Sequence, residues 1–148
     1  MKKTIMIILL LTLIAAPILA GNGWETNLTV SAGPASSRLS FGQQADATGG
    51  LDGRYDVPAM LSGDLQARFT DGGGTLWRDI RSTDGNQEWQ LAVEAAGPVI
   101  LRWDPAGLPS GSSLTLEDSA RGKSIDMATV GEYAVTASGT SEFMIRLK

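Results

Sequence analysis

Three aspartates in one short stretch, FGQQADATGGLDGRYDVP at residues 41–58, are the residues whose type and spacing first suggest chemistry. Asp46, Asp52 and Asp56 are hard oxygen donors on a glycine-rich segment, a combination that suits Ca2+ in an exported domain. Their spacing is not that of an EF-hand loop. The same residues also have a structural use: Asp46 and Thr48 capping turns through side-chain oxygens, Gly49, Gly50 and Gly53 taking positive φ, and Pro58 opening the next segment. We take turn capping as the expectation, with Ca2+ as the alternative and no other cofactor.

Two further groups of side chains could act on a ligand. Trp24 and Trp77 are candidate stacking platforms for a sugar, since Trp24 stands near the start of the exported chain and Trp77 alternates out of phase with Leu76 and Ile80. Trp89 and Trp103 lie in phase with aliphatic neighbours and are expected in the core. A carboxylate-based glycoside hydrolase needs two acids facing each other across a cleft. Asp79, Glu88, Glu94, Glu117 and Asp118 supply acids, but no spacing selects a pair. Asp104, between Trp103 and Pro105, is placed to organise a turn. Arg78, Asp79 and Arg81 are expected on a solvated face. Histidine and cysteine are both absent, which removes the Ser-His-Asp, Cys-His and zinc-histidine arrangements and any disulfide.

The elements that must position these residues repeat with period two. WETNLTV, RLSF, DLQARF, TLWRDI, EWQLAV, VILRW and SLTLED each alternate apolar with polar residues, as half-buried strands do. Ile125 with Met127, Tyr133 with Val135, and Phe143, Ile145 and Leu147 continue the series. Turn signals separate them at DGGG (71–74), TDGN (83–86), AAGP (95–98), DPAGLPSGS (104–112), ARGK (120–123) and ASGT (137–140). No stretch holds a helical spacing beyond one turn. The expectation is an all-β domain, an antiparallel sandwich of about nine to ten short strands. The outward positions carry Thr, Asn, Gln, Arg and Glu, unlike the apolar outer band of an outer-membrane barrel.

The first twenty residues, MKKTIMIILLLTLIAAPILA, read as a cleaved signal helix: Lys2 and Lys3, an apolar run, and Ile18 and Ala20 at the −3 and −1 sites of a peptidase. Cleavage is expected between Ala20 and Gly21, leaving 21–148 as one domain with no membrane span, secreted or periplasmic. Removing Lys2 and Lys3 leaves ten basic against sixteen acidic residues, a formal charge of −6 with no basic patch. Nucleic acid is therefore not an expected partner. The last run, FMIRLK, ends as a strand, and no sorting tail is expected after it.

The order FGQQADATGGLDGRYDVP, LWRDIR, EWQLAVEAAGPVILRWDPAGLPSGSSLTLEDSARGKSIDM and EYAVTASGTSEFMIRL resembles an immunoglobulin-like β-sandwich module of secreted bacterial proteins. The resemblance spans nearly the whole exported chain. It implies an accessory module without catalytic residues, found beside adhesive or dockerin-bearing regions, although here the module stands alone behind its leader. The expectation is a non-enzymatic interaction or structural module of the cell envelope or extracellular matrix. It would bind a protein partner or self-associate, for instance by exchange of the first strand, WETNLTVS. The alternatives are a glycan-binding module using Trp24 or Trp77 and, behind it, a glycoside hydrolase.

Overall fold

The computed structural model describes residues 23–148. The expected leader, with its cleavage point at Ala20 and Gly21, lies outside the described residues. The alternating runs do form strands: β1 (Trp24–Ala32), β2 (Ala35–Gln44), β3 (Val57–Pro58), β4 (Gln66–Asp71), β5 (Gly74–Ser82), β6 (Gln87–Trp103), β7 (Leu114–Asp118), β8 (Lys123–Asp126) and β9 (Glu132–Leu147). One 3-10 turn, Pro105–Gly107, follows β6, and the Asp104 carboxylate caps it by accepting from the Ala106 amide at 2.9 Å. Among the described residues no helix is long and apolar enough to cross a membrane.

The all-β expectation holds, but the strands pair differently from two separate antiparallel sheets. They form one sheet in the order β1-β2-β5-β4-β6-β9-β7-β8, and β1 also pairs with β6, so β1, β2, β5, β4 and β6 close into a ring. The β2–β5 pair is parallel, Ser40 to Gln44 beside Arg78 to Ser82. A parallel pair needs a crossover of about a dozen residues or more. The aspartate segment and the β4 strand after it supply that crossover. Closure also places β6 along Leu28–Ser31 while β2 covers the other side of β1. Over those residues β1 is an interior strand with no edge free for exchange.

Two expected turns are not turns. AAGP lies inside β6 and ASGT inside β9, and these two long strands pair without a register slip from Gln87–Leu147 to Arg102–Glu132. Gly97 lies opposite Ala137, and Gly139 opposite Ala95. Both glycines hold positive φ, 88° and 115°. With no Cβ to clash, they let the ladder bend while its hydrogen bonds continue. The bend lets β6 serve two partners on one side, β4 along its first half and β1 along its second.

Inward positions from the ring and from β7 and β9 share one hydrophobic cluster, with Trp89, Phe41, Phe69, Leu101, Leu116 and Ile145 fully buried. Phe41 meets Trp89 and Phe69 edge-on with ring centres 5.2 and 5.8 Å apart. Such aromatic pairs each add about 0.5–1.5 kcal/mol beyond the area they bury. The Trp89 indole donates to the Asp79 carbonyl at 3.1 Å, and the Trp103 indole to the Met127 carbonyl at 2.9 Å. Both polar tips of the expected core tryptophans are therefore satisfied.

Candidate functional site

The aspartate segment folds as a strap against β5. The Ser82 amide donates to the Thr48 carbonyl and the Ala59 amide to the Thr75 carbonyl, both at 2.9 Å, and Val57 and Pro58 pair with Arg78 and Leu76. Within the strap, Asp52 accepts from the Thr48 amide at 3.1 Å and the Arg54 amide at 3.0 Å. Asp56 accepts from the Asp52 amide and, at 2.9 Å, from the Ile80 amide. Asp46 accepts from the Tyr55 hydroxyl and pairs with Arg54 at 2.7 Å. That hydrogen bond to Tyr55 comes first among the influences that hold the Asp46 pKa below its ordinary value and raise that of Tyr55.

All six carboxylate oxygens thus already have protein donors. Among the described residues, no group of three or more acidic, histidine or cysteine side chains is arranged to hold a metal ion. Capping is the use the carboxylates have here, with Asp52 and Asp56 doing what was expected of Asp46 and Thr48. The glycines depart from expectation: Gly49, Gly50 and Gly53 are not among the residues with positive φ. The carboxylates bind amides two and four residues away, and these Asx turns close the chain without a left-handed residue.

Charged side chains of β5 hold the strap and are not a solvated face. Asp79 is fully buried and forms a two-pronged pair with Arg81, at 2.7 and 2.9 Å. Arg81 also donates to the Gly49 carbonyl at 3.0 Å. Burial pushes the Asp79 pKa up, against the pull of Arg81. Burial acts to lower that of Arg81, but the pair with Asp79 outweighs it and raises it. Arg78 forms a second two-pronged pair, with Glu25 at 2.8 and 2.7 Å, and donates to the Tyr55 carbonyl. The hydrogen bond to Arg78 lowers the Glu25 pKa.

Trp24 is half-buried at the mouth of the ring, edge-on to Phe41 and Trp89 at 5.6 and 5.9 Å. Its indole donates to Gln43 at 2.8 Å, and Gln43 donates in turn to the Ser82 carbonyl at 2.8 Å. Trp77 is half-buried on β5. The structure does not bring Trp24, Trp77 and the three aspartates together as one ligand pocket. Gly42 is a residue whose role the sequence reading missed. A Cβ there would stand 2.0 Å from the Trp24 carbonyl oxygen, so the Phe-Gly of FGQQ lets β1 pass close to β2.

A different place is left open. β7 pairs with β9 only from Leu114–Leu147 to Glu117–Met144 and then turns away. Asp118, fully buried, accepts from Arg121 at 2.9 Å and from the Tyr133 hydroxyl at 3.0 Å, and the Arg121 guanidinium reaches the Thr136 carbonyl at 2.7 Å. Burial, then the hydrogen bond to Asp118, raises the Tyr133 pKa. Between the Arg121 tie and Met144, β9 has β6 on one side and no strand on the other. Beside this stretch lies a groove of about 500 Å³ with Ser119, Ala120 and Arg121 in one wall and Ser138, Thr140 and Glu142 in the other. Only the general turn signal ARGK and the polar run TASGTSE marked this place in the sequence.

The structural class is thus an all-β chain with a five-stranded ring and a lateral extension that leaves part of one strand edge unpaired. No family model matches the chain, and neither a curated protein nor a solved structure matches it.

Proposed function

We propose that this protein is a non-enzymatic, exported interaction module of the cell envelope or extracellular matrix, and that it binds a protein partner through β9. The observation that carries this reading is the unpaired length of β9 beside a groove. An unpaired strand edge presents a row of backbone donors and acceptors on which an extended segment can add. The strand at the end of the sheet, β8, is four residues long and begins with Lys123, features that blunt an edge. The resemblance to immunoglobulin-like modules rests on motif order. The kinship we propose with those modules is that of an exported accessory part.

Site-specific photocrosslinking in the producing cell tests this. A photoreactive residue at Thr140 should give discrete covalent adducts, while one at exposed Ser36, on the β1–β2 hairpin, should give none. The reading fails if no exposed position yields an adduct.

A further inference from the structure

Resting on the reading of β9 as a binding edge, we infer that its occupant is an extended, basic segment of another protein, added as a strand along Ser138–Glu142 with lysine or arginine at alternate positions. Three features together carry this.

The first is hydrogen-bonding parity. The Ser113–Lys148 pair bonds in both directions across the start of the β7 ladder, and the Thr136 carbonyl faces Arg121. Even-numbered residues of β9 therefore point their backbone groups away from β6. By this alternation the open groups are those of Ser138, Thr140 and Glu142, which a strand of about five residues would span. All three residues are exposed.

The second is charge. Glu94 lies across from Thr140 on β6, and Glu142 follows two residues later on the same face. Among the described residues neither carboxylate is in an ion pair, while Glu117, in the groove wall, lies 3.5 Å from Arg146. Of the cations nearby, Arg121 is engaged by Asp118 and the Thr136 carbonyl, Arg146 also pairs with Glu88 at 3.2 Å, and Arg68, in the cross-strand row of Ala92 and Glu142, is the one left outside an ion pair among the described residues. Residues two apart on an added strand face the same side, so basic side chains in that pattern lie over Glu94 and Glu142. A second copy of this chain would instead bring two acidic faces together.

The third is room. Gly139, in the middle of the stretch, has nothing within 4 Å of where a Cβ would be. A side chain of the added strand can cross above it without moving the fold.

The test uses the purified protein and three capped pentapeptides: Thr-Lys-Val-Lys-Thr, its glutamate counterpart Thr-Glu-Val-Glu-Thr, and the lysine peptide with N-methylated amides. Backbone NMR and amide exchange are the readouts. With nine-tenths of the protein bound by the lysine peptide, exchange at Ser138, Thr140 and Glu142 should slow about tenfold, since only the free fraction opens there. Changing Glu94→Gln together with Glu142→Gln should weaken the lysine peptide about fivefold or more, from two partly exposed ion pairs. Equal binding of the glutamate peptide overturns the basic character of the partner, and equal binding of the methylated peptide overturns strand addition. Protection without peptide that grows with protein concentration assigns the edge to a second copy. No protection at millimolar lysine peptide also overturns the inference. If Thr140 adducts still form in the cell, the interaction reading survives without its basic strand.

Discussion

At the scale of single residues, the charged groups that suggested chemistry hold the chain together. Asp79 and Arg81 stand two apart on β5, so they share a face, and a strand with period two made them look solvated. The strap then buries both, and the Arg81 guanidinium joins Asp79 to the Gly49 carbonyl. Removing one partner of a buried pair strands the other charge at a cost of about 3–5 kcal/mol, whereas replacing both by uncharged groups is far less costly. Arg81→Ala should lower the urea midpoint accordingly, and Asp79→Asn combined with Arg81→Met should recover much of the loss. A single variant as stable as the parent would mean that the pair contributes nothing to holding the strap. Burial of this pair could not be read from the sequence, because nothing local to β5 announces that residues 45–56 will lie against it.

At the scale of elements, alternation identified the strands and glycine misplaced some of their ends. DGGG, TDGN and ARGK do separate strands, whereas AAGP and ASGT do not. All five contain glycine with turn-forming neighbours. The difference is made across the ladder, where Gly97 and Gly139 bend two paired strands at points two register positions apart. Gly139→Ala should therefore cost about 1–3 kcal/mol through backbone strain at positive φ, although space for the methyl is free. Gly49→Ala, equally open but at an ordinary φ, should stay within about 0.5 kcal/mol. Thermal melting of the two variants checks this, and equal shifts would contradict the bend.

At the scale of the molecule, ring closure gives β6 partners along both sides and leaves β8 with one. Stability should be distributed in the same way. Amides of Leu91 and Leu101 on β6 should exchange only through global unfolding, while those of Lys123 and Ile125 on β8, which alternate with the Met127 amide bonded to the Leu114 carbonyl, open locally and far faster. Comparable rates at the two places would mean that the extension unfolds together with the ring. The ring encloses β1 over Leu28–Ser31, whereas β9 keeps an unpaired edge between the Arg121 tie and Met144.

The sequence by itself determined the all-β character, the inward tryptophans Trp89 and Trp103, the capping of the turn by Asp104 and the exclusion of histidine and cysteine chemistry. Each of these follows from residue type or from the two-residue period of a strand, which are local. Tertiary structure decided the parallel pairing of β2 with β5, the burial of Asp79 with Arg81, the use of all six carboxylate oxygens of Asp46, Asp52 and Asp56, and the open edge of β9. These depend on which strands become neighbours, and period two shows which face a residue takes without showing which strand lies beside it.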